Sequence, residues 1–165
     1  MLALCAMGAV VAYESEPPPQ VIKYQGRTVQ ETYKDDQTWH YYDEGGQWVT
    51  VGDDYRSWKW PKVDKVDNTR RVNLVIWSIW KPDRLTIMDY PRIGSSGAVR
   101  GKAEPIRYHL YPIKSKNGRV SKWGAYFKLR DKGQHYLVIK TRWERDPGTQ
   151  HSYGTGEHLA HLKSF

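Results

Sequence analysis

Twelve lysines and arginines lie between residues 100 and 142, interleaved with Tyr, His and Trp. They are the residues whose types and spacing most plainly offer chemistry, and that chemistry is the binding of anions. Lys122, Lys128 and Arg130 share the parity of Tyr126. On an extended strand all four point to one face. Arg100 and Lys102 follow the turn-forming run Gly94-Ser95-Ser96-Gly97 and add charge from a loop. A basic face with an aromatic ring in it suits an anionic polymer: the cations meet the charges and the ring stacks. The same pattern also suits an ordinary solvent face.

A second group is Tyr55 with Trp58-Lys59-Trp60-Pro61. A spacing of two puts both indoles on one side of an extended segment, where a sugar could stack. The competing expectation is that the pair packs against a sheet.

Catalytic patterns are not in evidence. His158 and His161 share a face only on a helix; on a strand they diverge and read as exposed tail histidines. Asp35-Asp36, Asp43-Glu44 and Asp53-Asp54 are adjacent acids. Glycoside hydrolysis needs two carboxyls facing each other across a cleft, whereas neighbours in a strand or turn diverge, so these read as solvated turn acids. There is no nucleophile-elbow, Walker or dinucleotide signature. The single Cys5 excludes an intrachain disulfide and a cysteine zinc site. The expectation is a non-enzymatic chain with no metal and no cofactor.

The elements that must hold these residues are strands. Short aromatic and β-branched runs alternate apolar and polar positions, and Gly, Pro, Asn and Asp punctuate them. Residues 21–33 read as a hairpin turning at Gly26. Residues 38–42 and 47–51 form a second hairpin, and 52–68 a linker. Residues 72–80 are the strongest strand and a central one. Others follow at 85–90, 106–111, 123–130 and 136–143, with a turn at Asn117-Gly118 and with 158–162 as a last short strand that Gly148, Gly154 and Gly156 argue against. Six strands after Arg70 predict an antiparallel β-sandwich carrying an N-terminal hairpin extension.

Charge divides the chain. Residues 13–69 hold seven Lys and Arg against eleven Asp and Glu; residues 70–165 hold nineteen against seven, within a total of +8. Residues 1–12 carry no charge and have the length of a signal-peptide apolar core, with a cleavage context after Ala12 but no basic residues before it. They are too short for a membrane span. Leu4 in front of Cys5 is a poor lipidation context. Pro17-Pro18-Pro19 makes a stiff spacer. The expected division is a leader at 1–12, a Pro-rich spacer at 13–20, an acidic hairpin region and linker at 21–69, and a basic sandwich at 70–165.

Three segments together resemble small exported Gram-positive proteins, often lipoproteins, with one immunoglobulin-like sandwich. They are Ile76-Trp77-Ser78-Ile79-Trp80-Lys81-Pro82, the strand Trp123-Gly124-Ala125-Tyr126-Phe127, and the strand His135 to Trp143. The resemblance covers about residues 70 to 145. It implies an exported, cell-surface location and an immunoglobulin-like fold, and carries no activity. The expected partner is an anionic wall polymer, a membrane surface or a protein, with a glycan on Tyr55, Trp58 and Trp60 as the alternative. The leader argues against nucleic acid.

Overall fold

The computed structural model describes residues 15–53, 56–149 and 151–165. In chain order the strands are β1 (Gln20–Tyr24), β2 (Arg27–Glu31), β3 (Tyr33–Tyr42), β4 (Trp48–Asp53), β5 (Asp64–Val66), β6 (Val72–Ile76) and β7 (Arg84–Tyr90). Then come β8 (Arg92–Ile93), β9 (Val99–Arg100), β10 (Glu104–Pro105), β11 (Tyr108–Lys114), β12 (Val120–Phe127), β13 (Gly133–Trp143) and β14 (Tyr153–Ser164). The expected all-β sandwich is what forms. The first sheet runs β11-β12-β6-β1-β2; the second runs β10-β7-β13-β14-β3-β4, with β5 also on β14, and β8 and β9 form a small ribbon.

The core lies between the two sheets. Ile22, Val72, Leu74, Ile76, Ala125 and Phe127 enter it from the first, and Trp39, Leu85, Ile87, Leu137, Ile139, Trp143, Ala160 and Leu162 from the second. Polar contacts also cross between the sheets. The Tyr108 hydroxyl donates to the Leu85 carbonyl at 2.5 Å, and Gln20 Nε2 donates to Thr141 Oγ1 at 3.2 Å.

The strands of the acidic half complete both sheets. β1 pairs antiparallel with β6, and β3 pairs antiparallel with β14. β6 is central as expected but ends at Ile76, and residues 77–80 leave the sheet. β3 begins five residues before the expected strand. The segment read as a linker contains β5, parallel to the end of β14. The Gly94–Gly97 run closes the β8–β9 ribbon.

The largest correction concerns the chain's end. The doubtful last strand is β14, twelve residues long and buried without a break from Gly156 to Ala160. The glycines that argued against a strand permit it. A Cβ on Gly154, whose φ is +144°, would lie 2.1 Å from the Thr38 carbonyl oxygen. Only glycine lets β3 approach so closely.

One edge of β14 is paired with β13 from Gly154 to Ser164. The other is shared: β3 reaches Leu159 and β5 begins at Leu162. Gln30, from β2 of the opposite sheet, fills the gap. Its amide donates to the His161 carbonyl at 2.8 Å and accepts from the His161 N–H at 2.7 Å, reproducing a ladder pair. It also donates to the Lys62 carbonyl at 2.8 Å. Gln30 is 5% exposed. Replacing it leaves buried backbone groups without partners, at about 1–3 kcal/mol each. Gln30→Ala is expected to lower stability by roughly 2–4 kcal/mol in urea unfolding, and Gln30→Glu, which keeps the acceptor but loses the donors, should not restore it.

Candidate functional site

The outward positions of the first sheet carry several of the basic and aromatic residues singled out above. Tyr126 on β12 stands opposite His109 on β11 and Asn73 on β6. The same alternation, carried just past the strand ends, brings Arg107, Lys128 and Arg71 into one row across three strands. Those three cations line one cleft of about 420 Å³ together with Arg130, Tyr126 and His109. The Arg71 guanidinium lies 4.4 Å from the Tyr126 ring centroid, and His109 and Tyr111 flank the same ring at 4.9 and 5.7 Å.

Local packing sets this aromatic group. Tyr111 stands opposite Gly124, and a Cβ on Gly124 would meet the Tyr111 ring at 2.4 Å. The ring therefore lies flat over the glycine, and its hydroxyl accepts a hydrogen bond from Asn73 Nδ2.

Of the six residues expected to hold an anion, Tyr126, Lys128 and Arg130 converge here. Lys122 is on the same face at the other end of β12, about 20 Å away at strand rise, with its ammonium 3.7 Å over the Trp77 ring. Arg100 ends β9, whose partner is β8; neither it nor Lys102 lines the cleft. Arg107, one of the twelve basic residues, joins the three that converge, and Arg71 is the addition. Their parity was visible in the sequence, but their shared row depends on which strands are neighbours.

Trp58 and Trp60 do stack, with ring centroids 6.4 Å apart and planes 19° apart. Trp60 is also fixed to the protein: its Nε1 donates to the Gly97 carbonyl at 2.8 Å, and its ring meets Tyr136 edge-on at 5.2 Å. Both indoles are half-buried, on a segment lying over the outer face of the second sheet. Tyr55, like Cys5 and the apolar leader, lies outside the described residues.

That segment covers two buried acids, of which Asp35 was expected in a solvated turn. Asp35 is 4% exposed on β3 and accepts from the Ser57 N–H and hydroxyl at 2.8 and 3.0 Å. Glu157 is 5% exposed and meets Arg56 at 3.1 Å and Lys140 at 3.6 Å. Burial pushes the Glu157 carboxyl upward, and the two cations oppose that push. Asp43, by contrast, does sit in a turn, where it accepts from the Gln47 N–H.

The histidines read as an exposed tail pair are not one. His158 is 1% exposed, on the inward side of β14, with Nδ1 2.8 Å from the Thr32 hydroxyl. Burial lowers its pKa to about 3, and Lys34 adds to the effect. His161 faces outward and stacks on Tyr136 at 4.3 Å.

A further histidine went unread. His135 Nδ1 lies 2.6 Å from Asp89, and Nε2 lies 2.9 Å from Ser164 Oγ and 2.8 Å from the Asp131 carbonyl. Ser, His and Asp in that order form a nucleophile, base and orienting acid in hydrolases. Here Ser164 is 2% exposed and its hydroxyl donates to the Asp131 carbonyl, so the group clamps three strands and a turn. Burial disfavours the charged ring, but the bond to Asp89 and the nearby charge outweigh it, and the net shift is upward. The signal was available: His135 shares the inward parity of Leu137 and Ile139.

Among the described residues, no group of three or more His, Cys, Asp or Glu comes together that could hold a metal ion, and no helix is long and apolar enough to cross a membrane. No protein-family model, curated protein or solved structure matches the chain.

The two buried histidines set opposite pH limits on stability. His158 stays neutral in the fold while the unfolded chain takes up a proton, so stability falls as pH drops from about 6.5 toward 3. The His135 contribution is complete below about 6.5 and is lost as pH rises through its raised folded value. Urea midpoints against pH should therefore show a maximum. His158→Gln is expected to flatten the acid limb, and His135→Gln the alkaline limb.

Proposed function

We propose that this chain is an exported, non-enzymatic binding domain whose first-sheet face holds an anionic polymer at the cell surface. The observation that carries the reading is the row Arg107, Lys128 and Arg71 beside the Tyr126–His109 rings. The three continue from the ends of neighbouring strands and line one cleft, so three like charges are grouped. Such neighbours repel, and a polyanion crossing the strands relieves the repulsion. The cations would meet successive phosphates or carboxylates while the rings stack on the intervening groups. Arg130 supplies a fourth cation at the rim. Of the three acids lining the cleft, Asp89 is already engaged by His135.

The Trp58–Trp60 stack supports a second reading, a neutral glycan bound from the opposite sheet. Salt separates the two. Charge-driven binding weakens as salt rises, whereas stacking on indoles persists.

The direct test is binding of the full chain to purified wall polyanion between 50 and 200 mM salt. Three phosphate contacts predict a log–log slope of about −2, reduced by about 0.7 for each cation removed in Arg71→Ala, Arg107→Ala and Lys128→Ala. Tyr126→Ala should weaken binding by roughly 1–3 kcal/mol without changing the slope as much. Salt-independent binding that survives all four changes but is lost in Trp58→Ala would replace this reading with the glycan one.

A further inference from the structure

At the other end of the sandwich, beyond the C-terminal end of β6, the chain exposes two large apolar side chains in one short loop. Trp77 is 46% exposed and Ile79 is 43% exposed. The loop is not slack. The Trp77 N–H donates to the Pro19 carbonyl at 3.0 Å. The indoles of Trp123 and Trp143 donate to the carbonyls of Ile79 and Trp80 at 3.2 and 3.0 Å. The loop is thus pinned by its backbone at Trp77, Ile79 and Trp80, while Ile79 and the Trp77 ring, with the Lys122 ammonium 3.7 Å from its centroid, remain exposed.

The β11–β12 turn stands beside this loop. Its residues Ser115, Asn117 and Arg119, with Lys122, share with Trp77 and Ile79 the walls of a cleft of about 510 Å³ whose floor is Trp39, Trp80 and Trp143. Lys116 belongs to the same turn, Lys114 ends β11 just before it, and Lys81 follows the loop directly. None of Lys81, Lys114, Lys116, Arg119 and Lys122 forms an ion pair among the described residues. The acid on the cleft, Glu16, already faces Lys34 at 3.4 Å.

We propose that this end of the sandwich docks on an anionic lipid bilayer, with Trp77 and Ile79 at headgroup level and the surrounding lysines and arginine on the lipid phosphates. Indoles favour the membrane–water interface, where an apolar body and a polar N–H are both accommodated. Lysines and arginines close to an anionic leaflet each add attraction, and their stems can lie along apolar surface while the charges stay in water. A protein partner fits less well, because lysine is depleted from the cores of protein interfaces. The residues are distinct from the polymer-binding row, which lies at the far end of β12.

The test is co-sedimentation of the full chain with vesicles of phosphatidylglycerol and phosphatidylcholine, with pure phosphatidylcholine vesicles, and with soluble glycerol phosphate as competitor. The expected result is binding to the anionic vesicles only, with a blue shift of tryptophan emission that the Trp77→Ser, Ile79→Ser variant lacks. Lys116→Ala with Arg119→Ala should weaken binding about 25-fold, about fivefold per charge. Any contribution of the apolar leader is common to every variant and cancels. Arg71→Ala with Lys128→Ala should leave vesicle binding unchanged, so the proposal and the polymer reading can fail separately. No binding to anionic vesicles, binding untouched by both end variants, or equal displacement by glycerol phosphate at matched headgroup concentration would overturn it.

Discussion

The backbone of β14 imposes the constraint on which the fold depends. It is central in its sheet and buried on both faces around Glu157–Ala160, so its N–H and C=O groups must be paired on both edges. β13 supplies one edge. The other is assembled from β3, the Gln30 side chain and β5. That demand draws residues from the first half of the chain onto its last strand. It also explains why a side chain from the opposite sheet is buried there: at His161 no backbone is available, and an amide can offer both a donor and an acceptor.

The interior carries more polar chemistry than an aliphatic sandwich needs. Gln20, Tyr108, His135 and His158 each make a hydrogen bond across or within the core. Such groups are costly when unpaired and specifying when paired. The two histidines sit in opposite environments. His135 is ringed by oxygens, with a carboxylate on one nitrogen and a carbonyl and a hydroxyl at the other, and it favours the cation. His158 is sealed in with a single hydroxyl partner and stays neutral. Burial alone does not decide a histidine's charge; the acceptors around it do.

The chain's positive charge is segregated. On the first sheet it gathers at the two ends of β12, in a row beside tyrosine and histidine at one end and around exposed Trp77 and Ile79 at the other. Over the outer face of the second sheet, Arg56 and Lys140 both pair with the buried carboxylate of Glu157. The same residue types thus pair with an acid there and have no ion pair among the described residues at the ends of β12. A charge count along the chain does not distinguish these cases, because pairing depends on which strands are adjacent.

Alternation alone determined much of this protein. The period of two, broken by Gly, Pro, Asn and Asp, is enough to predict a β-sandwich, the hairpin at Gly26, the turn at Asn117-Gly118 and the inward set Ala125, Phe127, Leu129, Leu137 and Ile139, because a strand with one buried face must alternate. It also placed Tyr126 and Lys128 on one face. What only the tertiary structure decided was adjacency. Whether Arg107, Lys128 and Arg71 form a row depends on β11, β12 and β6 being neighbours, and no local pattern encodes strand order. Gly154 looked like a break because its requirement is not local: it leaves room for the Thr38 carbonyl, more than a hundred residues away in the chain. His158 and Asp35 looked exposed because polar residues near chain ends and turns usually are. Their burial follows from being covered by other segments, and a single strand's sequence does not record its cover.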